Sequence, residues 1–66
     1  MQVQFNNQQI ETTASNLQEL IEEMSLSTKT GIAVAVNDCV VQRPLWNTKT
    51  LHEQDVVLVI TAAAGG

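Results

Sequence analysis

The feature that most constrains the fold of this chain is one stretch of helical periodicity with strand-like segments on both sides of it. Its apolar residues fall at positions i, i+3, i+4 and i+7 and are Leu17, Leu20, Ile21 and Met24. This spacing forms a single apolar stripe, which is typical of a helix that packs on a core. Ser15 followed by Gln18 matches a capping box, which predicts that the serine is the N-cap.

The segment before the helix predicts a β-hairpin over residues 1–12. Val3 and Phe5 alternate with glutamines, which is the period-two pattern of a strand with one buried face. Asn6 and Asn7 tolerate positive φ and therefore favour a tight turn between two strands.

A second hairpin is predicted after the helix. The run Ile32–Val36 alternates branched residues with alanines, and Asn37-Asp38 favours a tight turn into Cys39–Val41. Pro44 then excludes a central strand, and it suits the first position of a short helical turn.

The last apolar run, residues 56–60, consists mainly of β-branched residues and is typical of a central strand with little solvent on either face. We therefore place it in the middle of the sheet beside the first strand, with the two hairpins flanking it. The element order predicts an α+β fold in which one helix packs on one sheet. Residues 1–66 are interpreted as a single domain with a flexible C-terminal tail at 62–66.

The small size of the chain limits what chemistry it can hold. A domain of 66 residues buries only about 60% of the surface that its unfolded form exposes. A core of this size rarely contributes more than about 3–5 kcal/mol of net stability, so a deep catalytic cavity is difficult to accommodate. The size favours a binding or carrier role.

The charge and the apolar pattern exclude several partners. The formal net charge is −4 with three basic residues, which argues against binding to nucleic acid. The longest apolar run is far shorter than the roughly 20 residues of a membrane span, so no membrane association is expected. One cysteine and the absence of a signal-peptide pattern predict a cytoplasmic protein. The acidic residues Glu19, Glu22 and Glu23 are assigned to a solvated helix face.

The chain ends in Gly65-Gly66, and this ending is the strongest candidate site. A tail without side chains can pass through a narrow tunnel and lie close to a partner's backbone. A partner that converts the Gly66 carboxylate to an acyl-adenylate would make it open to attack by sulfur or an amine. The alternative is a frayed terminus without function.

Other reactive side chains offer weaker candidates. Cys39 has two interpretations, as a nucleophile or as a packing residue beside a turn. The second is favoured, because the sequence places no positive neighbour beside it that would favour the thiolate form. His52 is the single histidine, forms no metal-ligand spacing with one cysteine, and is assigned to the surface. Trp46 is assigned to the core or its edge, although Trp46 and Arg43 are also residue types that anchor partners.

Several short matches to one family extend over nearly the whole chain. They are Phe5-Asn6, Leu17 and Leu20, Ala35-Val36-Asn37, Val41, the spacing from Arg43 to Trp46, Leu51, Asp55 and Gly65-Gly66. Together they resemble the ThiS family of thiamin-biosynthesis sulfur carriers, which are ubiquitin-like β-grasp proteins. The chain departs from the family pattern at Gln54 and Asn7, where glycine is common. Each departure costs about 1 kcal/mol if the backbone there has positive φ.

The resemblance implies a fold and a mechanism. The fold would be a mixed sheet of about five strands with one helix packed on one face. A ThiF-like adenylating enzyme would activate Gly66, a cysteine desulfurase or related donor would supply sulfur, and the thiocarboxylate would pass to a ThiG-like thiazole synthase. The chain would be neither a catalyst nor a cofactor binder, since ATP and magnesium would be bound by the partner. The sheet face away from the helix would be the docking surface.

Three other functions remain open at this point. The first is a related β-grasp carrier that resembles the small subunit of molybdopterin synthase or carries sulfur for another product. The second is a ubiquitin-like modifier joined to other proteins by isopeptide bonds. The third, from a different class, is a small thiol enzyme that uses Cys39.

Overall fold

The computed structural model describes residues 1–27 and 30–61. Within these ranges the chain forms five strands, one α-helix and one 3-10 helix. In chain order they are β1 (Gln2–Phe5), β2 (Gln8–Glu11), α1 (Leu17–Glu23), β3 (Ile32–Val36), β4 (Cys39–Val41), the 3-10 helix (Arg43–Thr48) and β5 (Val56–Thr61). The predicted order of hairpin, helix, hairpin, helical turn and strand is confirmed.

The strands form one mixed sheet in the order β2-β1-β5-β3-β4. β5 pairs in parallel with β1, with Gln4 opposite Val56, and it pairs antiparallel with β3, with Ile32 opposite Thr61. Both hairpins are antiparallel. The last strand therefore lies at the centre beside the first strand, as the sequence predicts.

Both hairpin turns contain two consecutive residues with positive φ. The values are 51° at Asn6 and 67° at Asn7 in the first turn, and 52° at Asn37 and 71° at Asp38 in the second. Two such residues are what a two-residue hairpin turn of type I′ requires, and the backbone twist of this turn matches that of the flanking strands. The predicted turn positions are confirmed.

The predicted start of the helix is wrong by one residue. Asn16 is the N-cap, and its Oδ1 accepts the Glu19 backbone N–H at 2.8 Å. The Glu19 carboxylate accepts the Ser15 backbone N–H at 2.8 Å, and this bond lowers the pKa of Glu19 below its usual value. The Gln18 side chain instead donates to Glu22.

The shift of the helix start has a tertiary cause. The Leu51 N–H donates to the Ser15 carbonyl at 3.1 Å, and the Leu17 N–H donates to the Lys49 carbonyl at 2.9 Å. These two bonds form a bridge between Asn16 and Thr50 that holds the backbone extended through Asn16. The helix can therefore begin only at Leu17, and a sequence pattern cannot reveal a contact so distant along the chain.

The core lies between the helix and one face of the sheet. Its buried apolar residues are Val3, Phe5, Ala14, Leu17, Leu20, Ile21, Val34, Val36, Trp46, Leu51 and Val57. The predicted helical stripe is confirmed, with Met24 packed at the edge of this cluster. Trp46 is also in the core, as predicted, and its indole N–H donates to the Val41 carbonyl at 2.8 Å.

The prediction that β5 has little solvent on either face is wrong. Val57 is fully buried, whereas Ile60 is 62% exposed and Leu58 is half-buried. The reason is that the single helix covers only the face that carries Val57.

In the part of the chain that the structure describes, no helix is long and apolar enough to cross a lipid bilayer.

Candidate functional site

The predicted site residues Gly65 and Gly66 lie outside the described residues. β5, the central strand, leads toward them and is described as far as Thr61. The geometry that bears on the site is therefore how β5 is held and what the sheet presents beside it.

The start of β5 is fixed by a cluster of polar contacts around Asp55. This aspartate is 8% exposed, and its Oδ1 accepts the Asn37 side-chain N–H at 2.9 Å. Its Oδ2 accepts the His52 backbone N–H at 2.8 Å. The Asn37 Oδ1 in turn accepts the Val56 backbone N–H at 2.9 Å. The turn between β3 and β4 is thus tied to the first residue of the central strand.

Backbone hydrogen bonds hold β5 from both sides. The Gln4 N–H donates to the Asp55 carbonyl at 2.9 Å, and the Asn6 N–H donates to the Val57 carbonyl at 2.9 Å. β3 pairs with β5 as far as Thr61. The strand that leads to the glycines is therefore a central strand of the sheet with hydrogen bonds along both edges.

The sheet face opposite the helix carries an apolar surface, here called the outer patch. Its members are Ala33, Ala35, Val40, Val56, Leu58 and Ile60, whose registers place them on one face across β3, β4 and β5. Val40 is 71% exposed. Exposed contiguous apolar surface of this kind marks interaction sites. The face is uncovered by the helix, while its role in docking stays a prediction.

The remaining candidate side chains lie apart from one another. Cys39 is a free, exposed cysteine at the start of β4. His52 is a surface residue, as predicted, with a 75% exposed side chain whose Nδ1 lies 4.0 Å from the Asp55 Oδ2. Among residues 1–27 and 30–61, no three His, Cys, Asp or Glu side chains are placed to hold a metal ion. The same part of the chain encloses no pocket.

Arg43 and Trp46 do come together. The guanidinium carbon of Arg43 lies 4.4 Å from the centroid of the Trp46 ring, and its Nη1 donates to the Ser27 carbonyl at 3.1 Å. Because Trp46 is buried, it acts as a core residue and not as an exposed anchor, and Arg43 covers it on the solvent side.

Sequence reasoning missed the asparagines as contacts of β5. Asn6 and Asn37 are predicted as turn residues and stand among the matches to the family, yet each also accepts a backbone N–H of β5 through its side-chain oxygen. The available signal is that an asparagine begins each of the two turns.

A mixed five-stranded sheet in this order, with one helix on one face, is the β-grasp fold of ubiquitin-like proteins. The model of the ThiS family matches residues 3–66, and the chain belongs to this family. It is 31% identical over 67 residues to the sulfur carrier protein ThiS of Escherichia coli (strain K12), and the match covers 100% of both chains. The crystal structure of the thiamine biosynthesis protein ThiS from Geobacter metallireducens has the same fold, with a TM-score of 0.85, 20% identity and full coverage of both chains.

Proposed function

We propose that this chain is a sulfur carrier for the synthesis of the thiamin thiazole, and that the carboxylate of Gly66 is the group that carries sulfur. The observation that carries the proposal is the family match, which extends through Gly65 and Gly66 to the last residue. The relative from Escherichia coli is named as a sulfur carrier and matches over its full length.

The chemistry follows from the weakness of a carboxylate as an electrophile. A ThiF-like partner transfers AMP from ATP to the Gly66 carboxylate and releases pyrophosphate. The terminal sulfur of a persulfide supplied through a cysteine desulfurase or related donor then attacks the acyl carbon, and AMP leaves with one carboxylate oxygen. A thiol reduces the S–S bond of the resulting acyl disulfide and releases the acyl group with its sulfur. The product is a thiocarboxylate, which passes its sulfur to a ThiG-like thiazole synthase.

In this scheme the chain is a co-substrate and not a catalyst, and it acts in the cytoplasm. ATP and magnesium belong to the adenylating partner. The chain contributes its two glycines, which have no side chain to obstruct a narrow channel. Five residues, 62–66, follow Thr61 and span at most about 18 Å when extended, so the partner's active site must lie within that distance of the end of β5.

The outer patch is the docking surface that we propose for these partners. It lies on the same sheet as β5, so a partner bound there lies close to the start of the tail. Its apolar residues bury surface on docking, and the acidic net charge of −4 steers the chain toward a basic partner surface.

The test is ATP-dependent pyrophosphate exchange with the cognate adenylating enzyme. A chain that lacks Gly65 and Gly66 is expected to fold normally and to lose pyrophosphate exchange, whereas unchanged pyrophosphate exchange contradicts the proposal.

The intact mass of the protein from its native host tests the product, because a thiocarboxylate has sulfur in place of one oxygen. Higher-mass conjugates would instead indicate a protein modifier, and copurification with a molybdopterin synthase subunit would indicate the related carrier.

A further inference from the structure

The two hairpin turns of the sheet share an unusual arrangement. Each begins with an asparagine in nearly the same backbone conformation, with φ of 51° at Asn6 and 52° at Asn37. Each asparagine directs its side-chain oxygen to a backbone N–H of β5. The distances are 2.8 Å from Asn6 Oδ1 to the Val59 nitrogen and 2.9 Å from Asn37 Oδ1 to the Val56 nitrogen. The central strand is thus held by one turn on each side.

The Asn6 contact replaces a bond that the sheet itself cannot make. β1 ends at Phe5, and the Asn6 N–H donates to the Val57 carbonyl at 2.9 Å. In a continuing parallel ladder, the next bond would join the Val59 N–H to the backbone carbonyl of residue 6. The chain turns at that point, and the side-chain carbonyl of Asn6 takes the place of the backbone carbonyl.

From this geometry we propose that Asn6 is a positioning residue for the activation of Gly66. Among the residues that the structure describes, its side-chain oxygen makes the last hydrogen bond to β5 from the β1 side. Beyond Val59 the described part of β5 is paired to β3 alone, through Ile60 and Thr61. The Asn6–Val59 bond therefore sets the direction in which the strand leads to the tail. The inference rests on the proposed function.

Loss of the Asn6–Val59 hydrogen bond is expected to weaken docking of the tail and to leave the rate of the chemical step nearly unchanged. A loosened strand end has more conformations to lose when the partner captures the tail, so the cost appears in KM and not in kcat. The expected size is that of one net hydrogen bond, which corresponds to a rise in KM of about two- to tenfold.

The test uses three variants of the full chain. Asn6→Gly retains the ability to adopt positive φ and removes the acceptor oxygen. Asn6→Asp retains an acceptor oxygen at the same position. Asn7→Gly is the matched control, because it alters the same turn, where φ is 67°, and leaves Asn6 in place.

Two measurements are made on each variant. Amide hydrogen exchange at Val59 reports the Asn6–Val59 hydrogen bond, and exchange at Val57 is the comparison within the same strand. Protection of the β3 amides reports whether the variant is folded. The KM and kcat for pyrophosphate exchange with the adenylating partner report positioning. We expect Asn6→Gly to speed exchange at Val59 selectively and to raise KM with kcat nearly unchanged, while Asn6→Asp and Asn7→Gly behave like the original chain.

Each contrary outcome overturns a distinct step. Unchanged protection of Val59 in Asn6→Gly overturns the anchoring bond. Lost protection with an unchanged KM, or an equal rise in KM for Asn7→Gly, overturns the positioning role. If the unaltered chain is not activated at all, the proposed function fails and the positioning role falls with it, while the exchange data still show whether the bond exists.

Discussion

The side-chain amide of Asn37 donates to the buried carboxylate of Asp55 across 2.9 Å, although the two residues are 18 positions apart. Asp55 also accepts the His52 backbone N–H at 2.8 Å, so both carboxylate oxygens have protein partners. The contact joins the turn between β3 and β4 to the residue that precedes β5. The folded position of the central strand therefore depends on side chains from both of these segments.

Replacement of Asp55 by alanine is expected to lower the free energy of unfolding by about 2–3 kcal/mol. The reason is that the Asn37 side-chain N–H and the His52 backbone N–H lose a charged acceptor that belongs to a buried residue. Urea denaturation measures the change. A double-mutant cycle with Asn37→Gly, which retains positive φ, is expected to give a coupling energy of at least about 0.5 kcal/mol. Additive effects of the two changes would contradict the contact.

Gln54→Gly is expected to stabilise the chain. Gln54 has φ of 69°, in the left-handed region that costs a residue with a Cβ about 1 kcal/mol relative to glycine. Gln54 and Asn7 are the two positions where the family resemblance implies a glycine, and Asn7 also has positive φ, at 67°. Thermal or urea unfolding measures the gain. Gln54→Ala is the control, because alanine retains the Cβ, and equal stability of the two variants would contradict the explanation.

Local pattern predicts most of this fold. The helical stripe, the two asparagine-led turns and the 3-10 helix at Pro44 each depend on neighbours in sequence, and all are confirmed as elements. The predicted first position of Pro44 is wrong by one residue, because the 3-10 helix begins at Arg43. The other errors have a different origin. The N-cap is Asn16 and not the predicted Ser15, because the backbones of residues 49 and 51 form hydrogen bonds with that segment. β5 is partly exposed because the helix covers only one face of the sheet.

The candidate site follows the same division. Sequence pattern singles out the two-glycine ending, which lies outside the described residues and stays a prediction, and the family resemblance implies docking on the sheet face that the helix leaves uncovered. Sequence pattern did not identify the contacts of Asn6 and Asn37 with β5, since these join residues 53 and 19 positions apart. The local signal, an asparagine at the start of each turn, predicts the turn and not the distant hydrogen bond.

The helix start is expected to make stability depend on pH in the acid range. The Ser15 backbone N–H lowers the pKa of Glu19 below the ordinary value of 4.5 in the folded state. A carboxyl group with a lowered folded pKa stabilises the fold above its unfolded pKa, and that stabilisation is lost as the pH falls through the folded pKa. The N-terminal ammonium group lowers the pKa of Glu11 in the same sense.

Urea midpoints measured from about pH 6 to about pH 3 test this dependence. Glu19→Gln is expected to be less stable than the original chain at about pH 6 and to lose less stability as the pH is lowered toward about pH 3. Glu23→Gln on the same helix is the control for the change in charge. A pH dependence in Glu19→Gln that is as steep as in the original chain would contradict the role of the Ser15 bond.

The outer patch is expected to determine how well the adenylating partner binds. Ile60 belongs to the patch and is 62% exposed, so Ile60→Glu removes apolar docking surface without creating a buried charge. We expect the KM for pyrophosphate exchange to rise at least about tenfold, which is the effect of losing an interface residue worth about 1.4 kcal/mol. Leu45→Glu is the matched control, because Leu45 is 56% exposed but lies on the 3-10 helix and not on a strand. Equal effects of the two substitutions would indicate that added negative charge, and not the patch, weakens docking, since both variants change the net charge by the same amount.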